Sequence, residues 1–179
     1  EVELRDAVAA MIAKHGRVPV IVGGGWGGYL KRYGPPAPRI FTHHMRGHVD
    51  GNSQRWLAGT TIAAVNKSLE KRGKTLASHP TMVRASMFAP RSTFLLSDGT
   101  CACLRVCVLQ DYISIGSWVA VSNHGNSATS SNNDESAIKD VKLLDMRQNT
   151  TEIVNFKETR RRFSGARQGE FCVVDVAFN

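Results

Sequence analysis

The chain has 179 residues, 42% hydrophobic and 21% charged, the balance of an ordinary globular domain long enough to bury a core. It has no apolar run of about 18 residues, so no spanning helix is expected. The net charge of +8 suits polyanions (nucleic acid, nucleotide phosphates, an acidic partner surface) without choosing among them.

The opening EVELRDAVAAM carries acids, does not read as a signal peptide and lacks an initiator Met, so the chain is expected to be a piece of something longer. Residues 3–15 predict a helix with one apolar stripe of Leu4, Val8, Met11 and Ile12, closed by Gly16. RVPVIV (17–22) reads as a short buried strand, and the glycine-rich GGGWGG follows it directly. After a Pro-rich link at 31–39 come two more short strands, RIFTHH (39–44) and QRWLAG (54–59). TTIAAVNKSLEKRG (60–73) is the cleanest helix, capped by Thr60 or Thr61, striped by Ile62, Val65 and Leu69, and stopped at Gly73. This alternation of β and α predicts a small parallel sheet with helices against it.

The middle reads differently. RSTFLLSDGTCACLRVCVL (91–109) predicts a hairpin turning at Asp98-Gly99, with Cys101, Cys103 and Cys107 on one strand face. Residues 111–131 are rich in small and turn-forming types. Residues 137–156 read as two strands joined by a polar turn, 157–166 as a helix, and GEFCVVDVAF (169–178) as a last buried strand. The second half is therefore expected to be mainly antiparallel.

Several side-chain clusters are candidates for chemistry. The four cysteines form no CxxC pair, so buried free thiols in a reducing, intracellular compartment are expected rather than zinc or disulfides. His43, His44 and His48 cluster, but Gly47 and the turn-like RGHVDGN speak against a helical metal face, and no carboxylate stands at a ligand spacing. The basic run KETRRRFSGAR (157–167) is either a solvated helix face or a nucleic-acid patch; no aromatic platform extends it. Two N-x-S/T sequons begin at Asn66 and Asn149.

VIVGGGWGGYL (20–30) raises the functional question. Consecutive glycines after a strand offer bare N–H groups that can form an anion-binding nest and approach a pyrophosphate closely. No Gly-Lys-Ser/Thr ends the loop, and the Pro-rich link replaces the helix that a dinucleotide fingerprint requires. Alone, the stretch is equally a tight turn packed against a neighbour. ISIGSWVAVSNHGN (113–126) is a second loop of small residues with exposed amides, and the two together could clamp a ligand with a diphosphate in its middle, a dinucleotide.

The order of these features resembles the flavin-binding domain of the vanillyl-alcohol oxidase and p-cresol methylhydroxylase (PCMH) type flavoproteins, which include aldonolactone and sugar-alcohol oxidases. The first helix, VPVIVGGGWGG, RWLAGTTIAAVNKSLEKRGKTLASHP, ISIGSWVAVSNHGN and GEFCVVDVAFN are similar to that family's successive motifs over nearly the whole chain. The resemblance implies an α+β fold: a parallel β/α subdomain over about 1–80, an inserted hairpin at about 84–112 and a mainly antiparallel subdomain over 113–179, together one FAD-binding-type domain. It implies that Val22, Gly23, Gly24, Gly25, Trp26, Gly27 and Gly28 wrap the FAD pyrophosphate, with Ala58, Gly59 and Thr60 close by. Ile115, Gly116, Ser117, Ser122, Asn123, His124 and Gly125 would line the flavin and its ribityl side. Val173 and Val174 would present backbone to one end of the cofactor. Several members tether the flavin through a histidine in the glycine loop; Trp26 stands there instead, and a carbon-linked indole makes no such bond, so the FAD would be non-covalent. Gly27 replaces the usual Ser, and residues 122–126 lack the usual Thr and one Gly. Family enzymes carry a cap domain with the catalytic bases, so another domain or chain is expected to supply the substrate site. The implied function is the flavin domain of an oxidoreductase acting on an alcohol or sugar-type substrate. The alternative is a non-catalytic structural or interaction domain built on the same fold.

Overall fold

The computed structural model describes residues 1–23, 38–49, 52–74, 76, 79–82, 93–95, 101–103, 108–109, 113–120, 125–126 and 137–179. These form a mixed α/β structure with a two-stranded parallel sheet, a five-stranded antiparallel sheet and short helices.

Helix α1 (Val2–His15) buries Leu4 and Val8, four apart on one face. It ends because Gly16 takes a left-handed φ of 66° and donates its N–H to the Ile12 carbonyl at 2.8 Å. Strand β1 (Val20–Val22) pairs parallel with β2 (Arg39–Phe41). Strands β3 (His48–Val49) and β4 (Asn52–Leu57) follow, then α2 (Ile62–Glu70). The hydroxyl of Thr61 accepts from the Ala64 N–H at 3.3 Å, so Thr61 is the N-cap. Further on lie β5 (His79–Met82), β6 (Thr93–Leu95), β7 (Cys101–Cys103), β8 (Val108–Leu109), α3 (Ile115–Ala120) and β9 (Gly125–Asn126). The C-terminal part is β10 (Ile138–Asp145), β11 (Thr150–Val154), α4 (Phe156–Ser164), one 3-10 turn (Gln168–Glu170) and β12 (Phe171–Phe178).

The five-stranded sheet has the order β11-β10-β12-β4-β3, with β12 in the centre and every residue of β12 buried. One face packs on α1 and the β1–β2 pair, through Leu4, Val8, Ile21 and Ile40 against Leu144, Met146, Cys172 and Val174. The other packs on α2, α3 and α4, through Ile62, Val65, Ile115, Trp118 and Phe156 against Val141, Leu143, Val173, Val176 and Phe178. Strict alternation cannot place both Val173 and Val176 on the helical side. The register shift between Lys142↔Asp175 and Leu143↔Val173 resolves this by leaving Val174 as an extra residue, a bulge. The bulged carbonyl of Val174 accepts from the Ala58 N–H at 2.9 Å, just past the end of β4.

Two of the sequence expectations need correction. The parallel sheet is confined to β1 and β2; β4 instead pairs antiparallel with β12, joining residues on either side of the middle of the chain in one sheet. Residues 115–120, expected as loop, are a helix. The hairpin is present as β6 and β7, Thr93↔Cys103 to Leu95↔Cys101, with its turn and Cys107 outside the described residues; β8 pairs with β5 instead of extending it.

An ion-pair network crosses the inner strands of the sheet. Arg55 of β4 bridges Asp175 of β12 and Asp140 of β10 across three neighbouring strands. Burial pushes the Asp175 carboxyl above its ordinary range, and Arg55 only partly offsets this. At the β10–β11 turn, Asp145 accepts from the Arg147 and Gln148 amides at 3.0 and 3.1 Å, and Asn149 takes the left-handed φ of 54° that closes the turn. The Cys172 thiol is free and buried, and burial alone raises it to about 12, so it is an inert packing group.

Candidate functional site

The end of β4 is the frame of the site. After Leu57 the chain turns through Ala58, Gly59 and Thr60 into α2, and this corner pairs with the start of α3. The Ile62 N–H donates to Ile113, Ile115 to Thr60 and Gly116 to Ala58, at 3.0, 2.9 and 2.9 Å. Position 59 has no room for a side chain: a Cβ there would stand 1.9 Å from the Thr42 carbonyl oxygen and 2.7 Å from that of Met45. The Thr60 hydroxyl accepts from the Gly47 N–H at 2.9 Å and ties the same 42–47 loop to the corner. Gly116 is equally confined, with a Cβ position 2.7 Å from the Ala58 methyl.

Gly23, at the end of β1, reaches the same place from the opposite side. A Cβ on it would lie 2.1 Å from the Ser117 hydroxyl and 2.6 Å from that of Ser114. Ser114 donates to the Ser117 hydroxyl at 2.9 Å and accepts from the Ser117 N–H at 3.3 Å, which makes it the cap of α3. Between these segments opens a cleft of about 230 Å³. Its walls are mostly apolar: Val20 and Ile21 of β1, Ala58, Ala120 of α3, Phe163 of α4, and Phe171 and Val173 of β12. Gly23, Gly116 and Ser117 supply backbone and a hydroxyl. Behind Phe171 stand the guanidinium groups of Arg162 and Arg167, 5.1 and 5.3 Å from its ring centre. Such a space suits a single ring or part of a larger ligand, below the volume usual for a whole cofactor.

The structure therefore brings together Gly23, Ala58, Gly116, Ser117 and Val173 on one cleft. Val22, Ile115 and Val174 are buried in the packing around it, and Gly59 and Thr60 form its frame. The amides of Ile115, Gly116 and Ser117 were expected to be exposed; all three are spent inside the protein, on Thr60, Ala58 and Ser114. Gly125 lies on β9 opposite Pro80. Gly24, Gly25, Trp26, Gly27, Gly28, Ser122, Asn123 and His124 lie outside the described residues. The sequence reading missed Ser114, Phe163, Phe171 and Cys172. Ser114 carried a usable signal, a cap residue three before Ser117; the two phenylalanines and the cysteine carried none.

Neither of the other candidate clusters forms a free site. Arg161 pairs with Glu158, Arg162 with Glu158 and Glu152, and Arg167 with Asp145 and Glu170. Its bonds to Arg161 and then Arg162 hold the Glu158 carboxyl at about 2. The basic run is thus largely neutralised by its own neighbours. His43 and His44 rings pack 3.8 Å apart, while His48 packs on Trp56 at 3.6 Å. Among the described residues no three His, Cys, Asp or Glu side chains are placed to hold a metal ion. No family model matches the chain, and no curated protein matches it.

Proposed function

We propose that the chain is a flavin-binding domain with a PCMH-type fold, holding FAD non-covalently within an oxidoreductase for an alcohol or sugar-type substrate, with another domain or chain completing the substrate site. The observation that carries this reading is the contact of Gly23 with Ser114 and Ser117. It joins the strand from which the glycine stretch continues to the head of α3, so the two segments expected to clamp one ligand meet at one apolar cleft. Gly23, Ala58, Gly116 and Val173 give close, flat, uncharged walls suited to a ring. Because the amides of 115–117 are already donated, a diphosphate would rely on the glycine stretch that continues from Gly23 and on the Ser117 hydroxyl. When bound, the flavin carries the electron transfer, and the protein's part is to hold and orient it.

The test is direct. Purified chain titrated with FAD is expected to turn yellow and to gain thermal stability, by about 2.7 kcal/mol at a hundredfold excess over Kd. Gly25→Val is expected to weaken FAD binding at least about tenfold, by placing a branched side chain where backbone must approach the pyrophosphate, while leaving the ligand-free melting temperature unchanged. A colourless chain with no thermal shift overturns the flavin reading. That result would favour the second reading, a non-catalytic interaction domain, whose support is the internal use of the amides of Ile115, Gly116 and Ser117.

A further inference from the structure

Ser164 is the last residue of α4 and is exposed. Among the described residues its hydroxyl donates to its own helix alone, to the carbonyls of Arg160 at 2.8 Å and Arg161 at 3.4 Å. Gly165 and Ala166 follow, small and exposed, with Gly165 already extended at φ −82° and ψ 175°. Before the serine stand Arg160, Arg161 and Arg162, and no other Ser or Thr in the sequence has arginines both two and three positions ahead of it. The side chain of Arg161 is 75% exposed. Helix ends fray, and in this last turn Arg162 and Phe163 are only partly buried while Arg161 and Ser164 are exposed, so it opens into the extended form that a peptide-binding groove requires.

We propose that Ser164 is a phosphorylation site for a serine/threonine kinase whose acidic substrate groove reads arginines at the second and third positions before the acceptor. Charge-patterned recognition of this kind is how such enzymes choose substrates. In the reaction the Ser164 Oγ bonds to the γ-phosphorus of ATP, the bond to the β-phosphate oxygen breaks, ADP leaves, and the hydroxyl proton passes to the kinase's base. The product has a chemical consequence built into the fold. Esterified Oγ no longer donates to the carbonyls of Arg160 and Arg161, and a charge of about −2 sits at the negative end of the helix. That loosens the turn carrying Phe163, one wall of the cleft, whatever ligand the cleft takes.

The experiment uses the full chain, ATP and a kinase of this arginine-directed class. One phosphate per chain is expected, mapped by fragment mass to Ser164 and absent from Ser164→Ala. Arg161→Ala, at an exposed side chain where folding is preserved, is expected to slow incorporation about tenfold. The proposal is overturned if the folded chain takes no phosphate while a reference arginine-rich serine peptide is consumed. It is equally overturned if the phosphate maps elsewhere, or if Arg161→Ala reacts at the wild-type rate.

Discussion

Replacing Gly59 by valine is expected to destabilise the fold by about 3 kcal/mol or more, lowering the melting temperature by roughly 6–12 °C. The reason is the identity of the atoms in the way. A Cβ at this position meets backbone oxygens of Thr42 and Met45 at 1.9 and 2.7 Å, and no rotamer change moves a carbonyl. Relief requires the 42–47 loop to lift from the corner, which breaks the Gly47 to Thr60 bond as well. Gly169→Ala is the control, since among the described residues nothing lies within 4 Å of its Cβ position and its φ is not left-handed. It is expected to melt within about 1 °C of the parent. Thermal unfolding followed by circular dichroism reads both variants; equal melting temperatures would mean that the loop and the corner do not touch.

The second large effect is at Arg55. Arg55→Met removes the cation between Asp175, whose side chain is 5% exposed, and Asp140, at 21%. An uncompensated buried carboxylate costs about 3–5 kcal/mol, and partial solvent access at Asp140 places the expected loss near the lower figure. The loss also depends on pH, with a sign that separates it from simple loss of packing. Burial already raises the Asp175 carboxyl, and without Arg55 it rises further. Between the unfolded and folded values the folded chain holds more protons, so its stability falls as pH rises through that window. The gap between Arg55→Met and the parent is therefore expected to shrink as pH is lowered through the raised folded-state value, below which Asp175 is neutral in the variant. Adding Asp175→Asn to Arg55→Met is expected to recover about half of the loss at neutral pH. Urea melts of the parent and the two variants across this range are the measurement, and a pH-independent gap would count against the charge explanation.

Where local physics decides structure, the sequence was legible. Helices α1 and α2 carried their apolar spacing and their stop or cap residues, Gly16, Thr61 and Gly73, on the surface of the text, while α4 was read one residue late, with its cap Asn155 assigned to the strand before it. The apolar run of β12, broken only by Asp175, announced burial on both faces. What was misread depends on partners distant in the chain. QRWL sets two polar residues before two apolar ones, a pattern that marks neither strand direction, and its β-then-α neighbourhood suggested a parallel unit; its antiparallel partner is about 120 residues away. Helix α3 holds glycine and serine, poor helix formers, and exists because Ile115, Trp118 and Val119 fill the main core, so tertiary packing overrides propensity. The same cause misled the reading of the site. The small residues of 115–117 allow close packing on Ala58, rather than leaving amides free.

The place of β12 also bears on how this fold is reached. Of the five strands in this sheet the central one is the last in chain order, and both of its neighbours, β4 and β10, precede it. While the chain emerges from a ribosome, Trp56 on one side and Leu143 and Leu144 on the other have no sheet between them to join. The two halves can collapse locally, but the sheet closes only after residues 171–178 are free to insert. Closure of the sheet thus waits on β12, is slow because the β4–β12 pairing is long-range, and leaves the edges of β4 and β10 open until then to chaperones and to edge-to-edge association.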